Sequence, residues 1–186
     1  MKLLIMGPPG VGKGTQAEIL KTEFNIAHLS TGAILRKEIA RKSEVGIIAK
    51  HHIDKGQLVP DKVLLNIIRD RIIMSDCSNG YLLDGFPRTI EQAIGLEDIM
   101  ISLDHALDMA ISLTADEEEL INRLKKRGID SGRSDDTADI ISKRQKIYWE
   151  QTAPLLDFYN NKGLLKNIDG IGTIDEITKR ILKVLK

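Results

Sequence analysis

The sequence predicts a three-layer α/β fold around a mainly parallel sheet, and three observations predict it. Short apolar runs alternate with longer stretches whose apolar residues recur at three- and four-residue spacing. The short runs are mostly apolar and read as strands buried on both faces. A Gly/Pro-rich turn ends the first run and opens the first helical stretch. Strands of this kind, joined by helices, belong in a parallel sheet with right-handed crossovers.

In chain order, strands are expected at Leu3–Met6, Ala27–Leu29, Tyr81–Leu83, Met109–Leu113 and Leu164–Ile168. Helices are expected at Lys13–Phe24, Asp61–Met74, Thr89–Ile101, Ala115–Arg127 and Ile174–Leu185. Two stretches interrupt the alternation. Thr31–Val59 reads as helical without a strand, and Gly128–Asp136 (GIDSGRSDD) as a polar loop of turn formers. Each is a candidate flap; a plain surface loop is the alternative for the second. Thr137–Asn160 is helical, with Pro154 expected to kink or end the helix because it removes a donor.

A chain of 186 residues fits one domain with small appended lobes. Lys plus Arg and Asp plus Glu number 27 each, so no whole-molecule field attracts a polyanion, and nucleic acid is not an expected partner. The lone Cys77 can form no internal disulfide and lacks the partners of a zinc site. The opening apolar run is too short for a signal-peptide core or a membrane span, so a cytoplasmic protein with no membrane partner is expected. His28, His51, His52 and His105 have no metal-ligand spacing and read as structural or surface residues.

The strongest local signal is Gly7-Pro-Pro-Gly-Val-Gly-Lys-Gly-Thr15, a GxxxxGK phosphate-binding loop (P-loop) lying between a strand and a helix. Triphosphate oxygens must be met by backbone N–H groups of a tight turn, which Gly10, Val11, Gly12, Lys13, Gly14 and Thr15 supply. The helix that follows points its positive end at the same oxygens. Lys13 is expected to reach the β- and γ-phosphates. The pattern asks for Ser or Thr directly after it and finds Gly14, which leaves the hydroxyl contribution to Thr15.

Asp84 stands where the apolar run Tyr81–Leu83 stops, the end of a strand at which ligands sit in open α/β sheets. A carboxylate there can hold Mg²⁺ through water, the ion itself being carried mainly by ATP phosphates; a turn-forming Asp before Gly is the alternative. Nearby Arg88 offers a planar fork for phosphate. Arg36, Arg88, Arg123, Arg127, Arg133 and Arg144 form a larger set than hydrolysis of one nucleotide requires. Transfer between two phosphorylated nucleotides does require such a set. A phosphate oxygen already anionic near neutral pH needs no general base, which agrees with the lack of a Ser/His nucleophile arrangement. Gln92, one turn beyond Arg88, presents a carbonyl and an NH₂ able to pair with adenine, and a solvated helix residue is the plainer reading of it.

Taken together, GPPGVGKGTQA, LSTGAILR, GQLVPDKV, GYLLDGFPRTIEQA, RLKKR, GRSDD and YWEQTAPLLDFY resemble the adenylate kinase family from end to end. The resemblance implies one domain whose core (1–29, 60–125, 137–186) surrounds a five-stranded parallel sheet, with a helical monophosphate-binding flap at 30–59 and a short lid at 126–136. It implies the reaction MgATP + AMP ⇌ 2 ADP, with Mg²⁺ as cofactor and ATP, AMP and ADP as the small-molecule partners of a monomer. Residue by residue, Gly10 to Thr15 resemble the ATP cradle. Arg123 and Arg127 match arginines on ATP, and Gly172 a backbone facing adenine. Thr31, Arg36, Gln57, Leu58, Val59, Gly85, Phe86, Pro87, Arg88 and Gln92 match the AMP side, and Arg133 and Arg144 reach over the transferring phosphate. Lys13, Arg88, Arg127, Arg133 and Arg144 are the expected catalytic set. A cis Phe86–Pro87 bond is implied as well.

Two departures stand out. Ala33 occupies a position where the family often has Asp, and only Gly128 to Gly132 separate Arg127 from Arg133, where longer relatives insert a lobe sometimes clamped on zinc; no zinc site is expected. Two rivals remain. A UMP/CMP kinase would typically read SAG in place of Ser30-Thr31-Gly32, and a P-loop nucleotide-sensing module would need neither flap nor arginine set.

Overall fold

Successive residues of a strand point to opposite faces, so a run that is apolar throughout must be covered twice. The computed structural model of the chain describes residues 1–131 and 137–186. Strands β1 (Lys2–Met6), β2 (Ala27–Ser30), β3 (Tyr81–Asp84), β4 (Met109–Thr114) and β5 (Leu165–Asp169) form one parallel sheet in the order β2-β3-β1-β4-β5. Leu4 and Met6 of β1 turn to a core closed by α4 (Asp61–Ile72), α5 (Ile90–Ser102) and α8 (Pro154–Asn161). Leu3 and Ile5 turn to a second core closed by α1 (Lys13–Phe24), α6 (Glu117–Ser131) and α9 (Ile174–Leu185). Leu3, Leu4, Ile5, Leu82 and Leu83 are at most 1% exposed, and each such side chain contributes about 1.5–3 kcal/mol of burial free energy. The three-layer expectation therefore holds.

Because β1 lies between β3 and β4, the chain reverses its direction of sheet growth beside β1, and the crevice beyond the carboxyl end of that strand is where this architecture binds ligands. The turn 7–12 leaves β1 into that crevice. The stretch after β2 folds as α2 (Thr31–Arg41) and α3 (Glu44–Ile53), which pack on each other. Ser30 and Ser43 cap them, their hydroxyls accepting from the N–H groups of Ala33 and Gly46.

Two local expectations are corrected. The helix expected to stop at Arg127 continues as α6 to Ser131, so 128–131 belong to a helix and not to a loop. A single interior glycine costs only about 1 kcal/mol, and Gly128 alone does not break a helix whose first turn carries Glu117, Glu118 and Glu119. Pro154 does not kink a helix from within: it opens α8, where its missing N–H has no partner to lose. The irregularity falls earlier, as a π-helical turn at Tyr148–Thr152 after α7 (Ala138–Ile147). No helix among the described residues is long and apolar enough to cross a membrane.

Candidate active site

The turn after β1 is shaped by backbone conformation before any side chain acts. Gly12, the N-cap of α1, has φ +99, yet no atom lies within 4 Å of where a Cβ would stand. Its glycine is therefore required by the left-handed backbone and not by crowding. No side chain caps α1, which leaves the N–H groups of its first turn, at Lys13, Gly14 and Thr15, for an anion in the cleft they line. That cleft encloses about 1090 Å³, at the upper end of what one small-molecule ligand fills.

Lys13 folds back on the turn, its Nζ donating to the carbonyls of Gly7 at 2.7 Å and Pro8 at 2.9 Å. Burial pushes its pKa down to about 7; Asp84 opposes the shift, while Arg88, Arg144 and Arg127 add to it. Three arginines from separate segments thus act on one lysine, and all three line the same cleft. The cavity is built to be electropositive and is incompletely balanced by Asp84, an arrangement suited to polyphosphate.

Asp84 ends β3 and is 8% exposed. Burial favours its neutral acid, but the hydrogen bond from His28 and the charges of Lys13 and Arg88 outweigh that and hold its pKa below the usual carboxylate range. His28 bridges two carboxylates, Nδ1 to Glu18 Oε1 at 2.7 Å and Nε2 to Asp84 Oδ2 at 3.2 Å. Burial lowers the His28 pKa, while those hydrogen bonds raise it further, so the net shift is upward. The sequence reading of His28 as a structural or surface residue misses this bridge. Its signal was the polar-apolar alternation of Ala27, His28, Leu29 and Ser30, which places His28 on one face of β2; that Asp84 lies on the neighbouring strand follows only from the register pairing Ser30 with Asp84.

The turn after β3 holds the second cluster. Gly85 has φ +76, and a Cβ there would lie 2.9 Å from Thr31 Oγ1 and 3.1 Å from an Arg88 guanidinium nitrogen. Only glycine lets the Arg88 side chain fold across this turn, where its Nε donates to the Gly85 carbonyl at 2.8 Å. Thr31 is buried, and its hydroxyl donates to the same carbonyl at 2.9 Å, pinning the start of α2 to the end of β3. The Phe86–Pro87 bond is cis. From the π-helical turn before α8, the Thr152 hydroxyl donates to the Arg88 carbonyl at 2.9 Å.

On the far side of the turn, Arg123 Nε donates to Glu119 Oε1 at 2.7 Å and Nη1 to the Gly170 carbonyl at 3.1 Å, which sets it against the loop holding Gly172. Gln16 and Gln145, both buried and neither singled out by the sequence, tie this frame together. Gln16 Nε2 donates to the Ile174 carbonyl at 3.1 Å, and Gln145 Nε2 to the Pro9 carbonyl at 3.1 Å, which joins the phosphate turn to the helix carrying Arg144.

Of the residues singled out by the sequence, Gly10 to Thr15, Arg36, Asp84, Gly85, Pro87, Arg88, Arg123, Arg127, Arg144 and Gly172 meet at the cleft. Thr31, Phe86 and Val59 are buried behind its wall, and Gln57 and Leu58 lie outside it. Gln92 is fully buried, with Nε2 donating to Asp61 Oδ1 at 2.6 Å and Oε1 accepting from the Arg88 N–H at 2.7 Å. That excludes the solvated helix residue of the plainer reading and sets the amide directly behind Arg88, which lines the cleft. Arg133 lies outside the described residues.

A family described as adenylate kinase matches residues 5–164. The chain is 50% identical over 182 residues to an adenylate kinase of Leptospira biflexa serovar Patoc, with 98% of each protein covered. It is 48% identical over 186 residues to an adenylate kinase of Bifidobacterium longum, with all of both covered. An adenylate kinase of Geotalea daltonii is 40% identical over 213 residues, again with all of both covered.

Proposed function

The chain belongs to the adenylate kinase family, and from that premise we propose that it transfers the terminal phosphate of MgATP reversibly to AMP, giving two ADP. One observation carries the reading: Arg88, Arg127 and Arg144, from three separate segments, converge electrostatically on Lys13 in a single cleft of about 1090 Å³. A site that only held or hydrolysed one nucleotide would not need three guanidinium groups beyond its lysine.

In this reading the ATP phosphates lie against the start of α1, cradled by Gly10 to Thr15. Lys13 exchanges the Gly7 and Pro8 carbonyls for β- and γ-oxygens and regains its charge as it does so. Arg123 and the Gly172 backbone flank the adenine of ATP. On the acceptor side the AMP phosphate meets Arg36 and Arg88, with Thr31, the backbone of Gln57 to Val59, and Gly85 to Pro87 completing the pocket and the Gln92 amide meeting the adenine. Arg127, Arg133 and Arg144 neutralise charge as the phosphoryl group passes in line between two oxygens. The nucleophile is a phosphate oxygen, so the chain supplies alignment and charge in place of a base.

Asp84 suits water-mediated Mg²⁺ binding: it is buried, ionised, and 3.8 Å from the Cβ position of Gly14 at the start of α1. A bound Mg²⁺ would supply neutralisation of phosphate charge, and Asp84 through water and the Thr15 hydroxyl are the groups that would hold it. The α2–α3 pair within 30–59 serves as the acceptor flap and 126–136 as the lid, whose closure excludes water. The chain acts as a cytoplasmic monomer. The test is a steady-state comparison of AMP, UMP, CMP and GMP as acceptors with MgATP. AMP is expected to lead in kcat/KM by at least about tenfold, the scale of one well-formed hydrogen-bonded pair. A pyrimidine nucleotide in first place assigns the UMP/CMP kinase reading instead.

A further inference from the structure

Gln92 is held by two partners of opposite character. Its Oε1 accepts from the Arg88 backbone N–H at 2.7 Å, and its Nε2 donates to Asp61 Oδ1 at 2.6 Å. A backbone N–H can only donate and a carboxylate can only accept, so the amide fits one way round. Turned over, it would set its NH₂ against the Arg88 N–H and its carbonyl against the Asp61 carboxylate. Asp61 is itself fixed, because its second oxygen accepts from the Thr89 hydroxyl at 3.3 Å, and Thr89 caps α5 by accepting from the Gln92 N–H at 3.1 Å. The first residue of α4 and the first turn of α5 thus form one closed hydrogen-bonded unit behind Arg88.

We propose that Asp61 is a positioning residue that fixes the orientation of the Gln92 amide and thereby selects adenine over 6-oxopurines as the acceptor base. The inference rests on the reading of Gln92 as the residue that meets the AMP base. A primary amide has two N–H groups and two lone pairs, and Asp61 and Arg88 take one of each. One lone pair and one N–H remain. Adenine presents an amine at position 6 and an acceptor at N1, which the amide carbonyl and NH₂ match in that order. Guanine and hypoxanthine present an acceptor at position 6 and a donor at N1, the reverse order, and would need the amide turned over. Gln92 is 0% exposed, so water does not relieve a mismatch, and a mispaired buried group costs more than a made bond yields. Arg88, whose backbone holds the carbonyl end, lines the cleft, so the amide stands one residue behind the cleft wall on the acceptor side.

The test compares kcat/KM for AMP and for IMP, whose base differs from adenine in the position-6 and N1 groups, in the wild type, Asp61→Asn and Asp61→Ala. Asparagine keeps the shape but can turn its own amide to accept either orientation of Gln92. Alanine removes the partner. The AMP-to-IMP ratio is expected to fall about tenfold in both variants, the scale of one charge-assisted hydrogen bond, while KM for MgATP stays unchanged. Thermal unfolding reports whether each variant is folded, and the near-isosteric Asn variant carries the test if the Ala variant is not. A ratio within about twofold of wild type, with both acceptors losing activity in step, is the signature of a purely structural role and overturns the proposal. A wild-type protein that makes no ADP from AMP overturns the underlying reading instead, so the two failures are distinguishable.

Discussion

The protonation of Lys13 offers the sharpest quantitative consequence of the site. With its pKa near 7, the lysine is only about one-tenth protonated at pH 8 and about nine-tenths at pH 6. Triphosphate oxygens at Nζ restore a pKa near the ordinary lysine value, so binding at pH 8 draws in about 0.9 proton and at pH 6 about 0.1. The phosphate groups of MgATP are already ionised at pH 8 and release nothing there. Above pH 7 the apparent Kd for MgATP therefore rises about tenfold per pH unit, which is about 1.4 kcal/mol. Calorimetric titration with MgATP, without AMP, in two pH 8 buffers of different ionisation enthalpy gives the proton number as the slope of observed heat against buffer enthalpy. Lys13→Arg is the control, since a guanidinium stays charged and exchanges no proton. Zero uptake by the wild type at pH 8, or equal uptake by the arginine variant, refutes the reasoning.

Three further outcomes are expected. Arg88→Lys keeps the charge but loses the Nε contact to the Gly85 carbonyl and the planar fork, so kcat/KM for AMP should fall about 30- to 1000-fold, with MgATP binding little changed; a loss under threefold would contradict the role given to the fork. Gly85→Ala meets a strained φ of +76 together with contacts at 2.9 and 3.1 Å, and should lower stability by about 1–3 kcal/mol in denaturant unfolding and raise KM for AMP; a neutral substitution would show that the turn relaxes freely. His28→Gln should destabilise in a pH-dependent way. The raised His28 pKa gives stability that is present below its unfolded pKa, near 6.5, and lost as pH rises through the folded value, while the lowered Asp84 and Glu18 values give stability lost as pH falls towards 4. The difference between wild type and variant should therefore peak near pH 5–6 and shrink by pH 9, and a pH-independent difference would count against the ionic bridge.

The fold was legible because its information is local. Each expected strand overlaps an observed one with ends differing by one residue, since an apolar run bounded by a turn needs no knowledge of its neighbours. The phosphate turn was equally legible, because Gly10 to Thr15 are contiguous and their chemistry is carried by backbone. What failed depended on partners distant in sequence. The burial of Gln92 was hidden because nothing near it reveals that Asp61, 31 positions away, takes one N–H of its amide. His28 gave no sign of Asp84, 56 positions away, until the sheet order brought β2 beside β3. Gly128 misled in the opposite direction: glycine is a weak breaker, and the acidic first turn of α6 carried the helix past it. The arginines occupy a middle ground. Their number implied a highly charged site, but the convergence of Arg88, Arg127 and Arg144 on Lys13 needed the tertiary fold.

Direct transfer between two nucleotides is the claim on which the rest depends, and the fate of the γ-phosphate tests it. With ATP labelled at that phosphate and unlabelled AMP, the account predicts label in the β-phosphate of ADP, two ADP formed for each AMP consumed, and little label in free phosphate. Label accumulating as inorganic phosphate at a rate indifferent to AMP would contradict it and leave a nucleotide-hydrolysing or nucleotide-sensing module in its place.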